Sequence, residues 1–261
     1  MTEPDFPLII GHRGACAVAP ENTLISFARA FDDGADGIEF DVRLARDHVL
    51  VCLHDATLQR TALTSGAVGE FTSAELAEAD VGTWFNRKFS SHAREAYAAA
   101  RIPTLEQALA LADRRGAKAI YLELKCDARQ AGAHARAAAE ILRADYAMAQ
   151  IVVIESFTLE AIAAVKRIAP WLRTAALFER TASRLLARAT DLITSALEHG
   201  ADELALPKTL INAHLLEAAA AARLPIVVWT IDDPRWLNRA RKLGLKAIIT
   251  NDPRSMRGLP T

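Results

Sequence analysis

The feature that most constrains this chain is a regular alternation of short β-type runs with helical stretches. Several of the runs are continuously apolar, which is typical of strands covered on both faces. The alternation predicts an α/β fold in which a parallel sheet is joined by helical crossovers. The candidate strands are residues 8–11, 37–42, 49–54, 120–125, 151–156, 174–178, 203–207, 226–231 and 247–250.

The helical stretches lie between most of these runs. One of them begins after Thr104, where Gln107 stands three residues on as the partner in a capping box. The apolar residues that follow share one face of the predicted helix. The remaining predicted helices are residues 24–31, 128–143, 159–168, 183–199, 210–222 and 234–243.

The length of 261 residues suits one (β/α)8 barrel of the TIM type, which typically needs about 250 residues. We therefore predict a single barrel domain over residues 1–261. Nine runs are one too many for this barrel. The connection 43–48 is too short for a crossover, so runs 37–42 and 49–54 are expected to form a hairpin or an irregular pair. One run is then expected outside the closed barrel.

Residues 56–101 interrupt the alternation and contain no strong strand pattern. We predict an inserted subdomain here, after the third run. Long connections without a repeating pattern are usually functional in compact domains, often as the lid or wall of a site. The structural alternative is a satellite subdomain that covers one edge of the barrel. The two interpretations are compatible.

The charge and cysteine content exclude several classes of function. The formal net charge is −1, from 31 basic and 32 acidic residues, without the basic excess typical of nucleic-acid binding. Cys16, Cys52 and Cys126 form no CxxC motif, and their odd number disfavours a disulfide framework. The first residues lack the pattern of a signal peptide or membrane span. We expect a cytoplasmic protein without membrane insertion; homo-oligomerisation stays open.

The first run ends in the sequence Gly-His-Arg-Gly, residues 11–14. In a barrel, polar residues at the carboxyl end of a strand face the catalytic mouth. His12 has the side chain suited to proton transfer near neutral pH. Arg13 offers a planar fork that matches phosphate oxygens. Taken alone, a histidine at a strand end is more often structural.

The second run places two carboxylates, Glu39 and Asp41, two residues apart and therefore on one face of a strand. Burying two unpaired acids is costly. A hard divalent cation such as Mg²⁺ or Ca²⁺ would offset that cost, because both ions prefer carboxylate oxygens. The structural alternative is a bridge to a basic residue, with Arg13, Arg43 and Lys125 as the candidates.

Two further runs add polar residues at strand ends. His54 and Asp55 end the third run, and Glu123 and Lys125 repeat the two-residue spacing in the fourth. Glu123 would complete a three-carboxylate site. Lys125 would hold a phosphate oxygen or balance the acids. Together with the first two runs, these residues make a set that chance placement explains poorly.

The segment Pro-Glu-Asn-Thr, residues 20–23, precedes a predicted helix. Thr23 is expected to cap that helix. Glu21 and Asn22 either share this role or line the mouth as metal or substrate contacts. Near the end of a late strand, Trp229 either walls the pocket around a ligand's carbon skeleton or packs in the core.

These motifs resemble those of the glycerophosphodiester phosphodiesterase family, in the family's order and across nearly the whole chain. The resemblance implies a TIM-type barrel, one divalent cation (Mg²⁺ or Ca²⁺, with Mn²⁺ also allowed), and hydrolysis of glycerophosphodiesters to sn-glycerol 3-phosphate and an alcohol. The matching pieces are HRG at 12–14, PENT at 20–23, ExD at 39–41, HD at 54–55, ExK at 123–125, SF at 156–157 and WT at 229–230.

The resemblance also implies roles for particular residues. Glu39, Asp41 and Glu123 correspond to metal ligands, and His12 and His54 to the acid–base pair. Arg13 and Lys125 correspond to phosphate contacts. The chain departs from the family at two positions. Asp232 stands where Asn is frequent, and Asn251 where Asp is common. Both departures concern fine substrate contacts.

For the reaction, we expect His12 to act as the base and His54 as the acid. The nucleophile is either the adjacent glycerol hydroxyl, which gives a cyclic phosphate, or water. Three alternatives remain: a sphingomyelinase-D-like phospholipase, a non-catalytic barrel that binds phosphorylated ligands, and an unrelated metal-dependent barrel enzyme. The long insertion disfavours the first, and the complete set of candidate groups disfavours the second.

Overall fold

The structure, a computed structural model, describes residues 7–179 and 189–259 of the chain. Eight parallel strands form a closed barrel, because the first strand pairs with both the second and the last. This confirms the predicted (β/α)8 architecture. The barrel strands are β1 (Leu8–His12), β2 (Gly37–Leu44), β4 (Ala119–Leu124), β5 (Val152–Ser156), β6 (Arg173–Leu177), β7 (Glu203–Pro207), β8 (Ile226–Trp229) and β9 (Ala247–Thr250).

The ninth strand, β3 (Leu50–Cys52), lies outside the barrel and pairs antiparallel with the end of β2. The turn between them is tight, and His48 adopts a φ of 63° there. The predicted hairpin is therefore confirmed, since a connection of this length cannot return the chain for a parallel pairing. The hairpin carries the residues after β3 over the mouth of the barrel.

Several helices begin where the sequence offers a capping side chain. The Thr23 side chain accepts a hydrogen bond from the Ser26 backbone N–H, and Thr104 forms the predicted capping box with Gln107. The first part of the predicted helix 183–199 lies outside the described residues. The helices are α1 (Leu24–Asp32), α2 (Ser73–Leu76), α3 (Thr83–Lys88), α4 (Leu105–Arg114), α5 (Ala131–Ala144), α6 (Tyr146–Ile151), α7 (Leu159–Ile168), α8 (Ala189–Glu198), α9 (Ala213–Ala221), α10 (Trp236–Lys242) and α11 (Pro253–Met256).

The insertion at 56–101 consists of α2, α3 and three short 3₁₀ helices, Val68–Glu70, Ser90–His92 and Glu95–Ala99. An aromatic group holds part of it together: Phe85 packs against Tyr97 at a centroid separation of 5.7 Å. The Tyr97 hydroxyl also donates to the Val18 carbonyl oxygen at 2.9 Å. The insertion is thereby attached to the loop between β1 and α1, which borders the barrel mouth.

Strand alternation divides the side chains of the barrel into two sets. The outward set packs against the helices and includes Ile38 and Phe40. The inward set is apolar at mid-barrel, where Ile10, Tyr121 and Val153 belong to one cluster. The inward positions nearer the carboxyl ends carry polar and charged residues instead. None of the helices in the described parts of the chain combines the length and apolar character needed to cross a membrane.

Candidate active site

Three buried carboxylates meet inside the barrel at the carboxyl ends of neighbouring strands. Glu39 and Asp41 lie on the inward face of β2, and Glu123 lies on β4 with its Cα paired to that of Asp41. Each of the three offers an oxygen within 4.8 Å of the others. The two-residue spacing noted in the sequence therefore produces one compact acidic cluster.

Two cations face this cluster. The Arg13 Nε atom lies 3.2 Å from Asp41 Oδ2. The Lys125 Nζ atom lies 3.3 Å from Asp41 Oδ1 and 2.7 Å from Glu123 Oε1. Basic residues therefore pair with Asp41 and Glu123, as the structural alternative to a metal site expects. If all three carboxylates are ionised, as ligation of a cation requires, the two positive charges leave an excess of one negative charge.

The pKa values of the three acids diverge. Burial and the neighbouring Asp41 raise the pKa of Glu39 well above its usual range. Burial and the same neighbour raise the pKa of Glu123 to about 8. Although burial opposes it, the charges of Arg13 and Lys125 hold the pKa of Asp41 below its usual value. Asp41 therefore stays ionised, while the other two acids retain protons readily.

The donor set fits a hard divalent cation. Asp41 Oδ1 is buried and accepts no hydrogen bond among the described residues, although Lys125 lies nearby. The ion pair with Lys125 balances charge but leaves this oxygen without a hydrogen bond from the described residues, and a bound cation would supply the missing contact. The cluster offers only carboxylate oxygens, which Mg²⁺, Mn²⁺ and Ca²⁺ accept and softer metals accept less well.

His12 is held in one orientation at the end of β1. Its Nδ1 atom lies 2.6 Å from Asn251 Oδ1, and its Nε2 atom lies 3.8 Å from Glu39 Oε2. The Asn251 amide nitrogen donates to Asp232 at 2.7 Å, which turns the amide oxygen toward the imidazole. Nδ1 therefore carries the proton, and Nε2 faces the mouth. Burial, followed by the charge of Arg13, lowers the pKa of His12.

The two departures from the family pattern, Asp232 and Asn251, are thus bonded to each other. The sequence comparison associated them with substrate contacts. The geometry instead places Asn251 behind His12, and Asp232 behind Asn251. Asp232 also accepts from the Asn251 backbone N–H at 2.8 Å, which fixes the closing turn.

His54 follows β3 and faces the same mouth. Its Nδ1 atom lies 2.6 Å from Asp55 Oδ1. Arg43 holds the backbone at this point by donating to the His54 carbonyl oxygen at 2.9 Å and to the Lys125 carbonyl oxygen at 3.1 Å. Burial lowers the pKa of His54. The charge of Asp41 and the hydrogen bond to Asp55 partly oppose this shift.

The insertion contributes one further charge to this region. Arg60 donates to Asp55 and to both oxygens of Glu21, the latter at 2.7 and 2.8 Å. Glu21 in turn accepts from Arg13 at 2.8 Å. These pairs connect the loop that carries His54 to the loop that carries Arg13.

The loop after β1 contains two consecutive residues with positive φ angles, Arg13 and Gly14. Arg13 has a φ of 50°, and its backbone N–H donates to Glu39 Oε2 at 3.0 Å. Gly14 follows with a φ of 86°, and a Cβ there would lie 2.4 Å from Ser26 Oγ. A non-glycine residue at this position would clash with α1. The Gly of the HRG motif therefore allows the turn that directs Arg13 inward.

The PENT segment divides into three roles. Thr23 caps α1 as predicted. Asn22 holds Asp41 from two sides: its amide donates to Oδ2 at 2.8 Å, and its oxygen accepts from the Asp41 backbone N–H at 3.2 Å. Glu21 pairs with arginines and lies outside the three-carboxylate cluster.

These groups surround one cavity of about 550 Å³ at the carboxyl ends of the strands. Asp41 is fully buried and does not line the cavity, but it contacts Arg13 and Lys125, which do. Trp229 forms part of the wall, with its ring edge-on to Phe157 at 5.7 Å. The sequence-predicted residues that line the cavity are His12, Arg13, Glu39, His54, Glu123, Lys125 and Trp229.

Sequence reasoning missed three residues around this site. Asn251 was noted only as a departure, and Arg60 lay in a segment without a recognisable pattern. Glu155, which also lines the cavity, lies in the predicted strand 151–156 and was given no role. A signal for Glu155 was present, because it stands two residues after Val153 and therefore faces the barrel interior.

The chain is a (β/α)8 barrel that gathers histidines, basic residues and carboxylates at the carboxyl ends of its strands. The sequence profile of the glycerophosphoryl diester phosphodiesterase family matches residues 12–255. The chain belongs to this family and is an enzyme of the phosphoric diester hydrolase class.

Individual relatives agree with this assignment. A glycerophosphodiester phosphodiesterase of Caldanaerobacter subterraneus is 32% identical over 249 residues, covering 95% of this chain and 96% of the relative. One from Bacillus subtilis is 30% identical, covering 97% and 86%. The crystal structure of a glycerophosphodiester phosphodiesterase from Agrobacterium tumefaciens superposes with a TM-score of 0.78 at 28% identity, covering 97% and 100%.

Proposed function

We propose that this enzyme hydrolyses glycerophosphodiesters to sn-glycerol 3-phosphate and an alcohol, assisted by one divalent cation. The observation that carries the proposal is a single cavity lined by two histidines, by Arg13 and Lys125, and by carboxylates of the acidic cluster. Family membership supports the substrate class. The cavity is of the size that small-molecule sites usually have.

The cation would be held by Glu39, Asp41 and Glu123. When bound, it would offset the negative charge that develops on the phosphoryl oxygens during the reaction. Arg13 and Lys125 both reach Asp41, so their charged ends lie beside the cluster. We assign them the contacts to the phosphate oxygens, which would hold the diester in one orientation.

The two histidines would move protons. His12 would accept the proton of the nucleophile at Nε2, because its Nδ1 is already bonded to Asn251. His54 would donate a proton to the departing alkoxide, and the Asp55 carboxylate would stabilise the charged imidazolium that this role requires. A glycerol hydroxyl beside the ester would give a cyclic phosphate that water opens, whereas direct attack by water would give the products in one step.

The proposed activity is tested with a panel of glycerophosphodiesters, scored by release of sn-glycerol 3-phosphate. We expect release from several headgroups, loss of activity in EDTA, and recovery when Mg²⁺, Mn²⁺ or Ca²⁺ is added back. A lysophospholipid is assayed in parallel, because it is the substrate that the alternative, a sphingomyelinase-D-like phospholipase, would cleave. If only the lysophospholipid is cleaved, or if none of the diesters yields glycerol 3-phosphate, the proposal fails.

The pKa of about 8 for Glu123 leads to a prediction about pH. The folded, metal-free protein binds this proton more tightly than the unfolded chain does, so the protonated carboxyl favours folding. This contribution to the free energy of unfolding is lost as the pH rises through the folded-state pKa. A cation must displace this proton, so its affinity rises with pH over the same window. The increase in Tm caused by added Mn²⁺ should therefore be larger at pH 8 than at pH 6. An increase that shrinks with pH would contradict the ligand assignment.

We also propose a cytoplasmic location. The three cysteines, Cys16, Cys52 and Cys126, are free thiols in the structure, as expected for a protein of a reducing compartment. Fractionation of cells that express the tagged protein tests the location. Recovery with the extracellular or periplasmic fraction would contradict it.

A further inference from the structure

Glu155 is a buried acid that the reaction outlined above does not use. It lies on the inward face of β5, with its Cα paired to that of Glu123 on one side and to that of Ala175 on the other. Only 1% of the residue is exposed. Its Oε2 atom has no hydrogen-bond partner among the described residues, yet the residue lines the cavity at the barrel mouth.

A second unsatisfied polar atom belongs to the wall of the same cavity. The indole Nε1 of Trp229 is buried and has no acceptor in the described parts of the chain. Buried polar groups are normally hydrogen-bonded, so each exception requires an explanation. Here one exception is a donor and the other is an acceptor. A hydroxyl group is able to satisfy both kinds of atom, because it accepts one hydrogen bond and donates another.

The cation does not account for Glu155. The group of acids whose ligand atoms lie close enough together to share one ion contains Glu39, Asp41 and Glu123, and Glu155 is outside it. A basic partner does not account for it either, since no ion pair of Glu155 occurs among the described residues. The carboxyl oxygen is therefore available to a ligand in the cavity.

We propose that Glu155 and Trp229 bind a hydroxyl of the substrate's glycerol moiety, which makes Glu155 a specificity-determining residue. This inference rests on the proposed function, because it assigns part of that substrate to part of that cavity. Arg13 and Lys125 take the anionic phosphate, while Glu155 takes a neutral polyol. Phe157, edge-on to Trp229, would pack against the carbon chain.

The proposal predicts an unusual effect on stability. A buried carboxyl without partners costs free energy of folding, so an apolar side chain of similar volume should be tolerated or should stabilise the protein. Glu203 provides the matched control. It is also a buried interior glutamate, but it accepts from the Tyr121 hydroxyl at 3.1 Å and pairs with Lys246. Removing Glu203 leaves those partners unsatisfied and should lower the Tm.

The experiment compares two ligands, sn-glycerol 3-phosphate and propyl phosphate, which share the phosphate and the carbon chain but differ in hydroxyl groups. Their Kd values are measured by calorimetry on the metal-loaded wild type and on Glu155→Met. We expect the wild type to prefer glycerol 3-phosphate by about 10-fold or more. In Glu155→Met this preference should fall about 10-fold or to near unity. The Kd of propyl phosphate should be unchanged, and the Tm should be equal to that of the wild type or higher.

Each other result overturns the proposal. An unchanged preference means that Glu155 does not contact the hydroxyls. Equal weakening of both ligands means that Glu155 acts on the phosphate or the cation. A Glu155→Met protein whose Tm falls, as the Tm of Glu203→Met is expected to do, makes Glu155 a structural residue. The proposed function is judged separately, because it requires only that the wild type release glycerol 3-phosphate from a diester.

Discussion

Replacing His12 with Ala should lower kcat by about 10²–10⁴-fold, for both a natural diester and one with an activated leaving group such as p-nitrophenolate. The reason is that His12 is assigned to the nucleophile's proton, which must be removed whatever group departs. His54→Ala should show a loss of similar size with the natural diester. With the activated diester its loss should be much smaller, because p-nitrophenolate leaves without protonation.

His92→Ala is the control for this pair. His92 is an exposed histidine of the insertion, and the substitution should leave both rates unchanged. If the activated leaving group rescues His12→Ala rather than His54→Ala, the two roles are exchanged. If it rescues both variants or neither, the histidines do not divide the proton transfers in the way that the orientation of His12 by Asn251 indicates.

Asp41→Asn should lower kcat/KM by about 10²–10³-fold and abolish the rise in Tm that Mn²⁺ produces in the wild type. The substitution preserves shape but removes the charge of the acid that stays ionised between Arg13 and Lys125. A neutral amide oxygen is a weaker ligand for a hard cation. Activity is measured over a range of Mn²⁺ concentrations, so that weakened binding is separated from lost catalysis.

Asp113→Asn serves as the control, because Asp113 is exposed on α4 and is not a member of the acidic cluster. It should leave both the activity and the metal-induced Tm rise unchanged. An Asp41→Asn protein that keeps a full rise in Tm would show that the cation binds elsewhere.

The barrel was predictable because its signals are local. Alternating strands and helices predict a parallel sheet wherever crossovers are long enough, and the short connection after β2 predicted a hairpin or an irregular pair there. The capping box at Thr104 and the N-cap at Thr23 are similarly contained in a few residues. Closure of the sheet required only that eight such units be present.

The candidate site was predictable in part. Spacing within one strand places Glu39 and Asp41 on one face, and the position of His12 at a strand end directs it to the mouth. The contacts that orient these side chains were not predictable, because they join segments that are distant along the chain. Asn251 lies 239 positions from His12, and Arg60 reaches Glu21 across 39 positions from an insertion without periodicity.

Glu155 shows a different limit of sequence reasoning. Its strand position was identified, and strand alternation was sufficient to place it inside the barrel. Whether an interior acid has a partner depends on side chains from other segments, which its own strand does not reveal. Glu203 illustrates the contrast. Both are buried glutamates on barrel strands, but only Glu203 has partners in the described structure.

The proposed chemistry depends on Glu39, Asp41 and Glu123 binding one divalent cation beside the two histidines. Anomalous scattering from crystals grown with Mn²⁺ tests it directly. We expect one strong anomalous peak in contact with oxygens of all three carboxylates, beside the cavity that His12 and His54 line. A peak bound to other residues, or none at Mn²⁺ concentrations that support full activity, would contradict it.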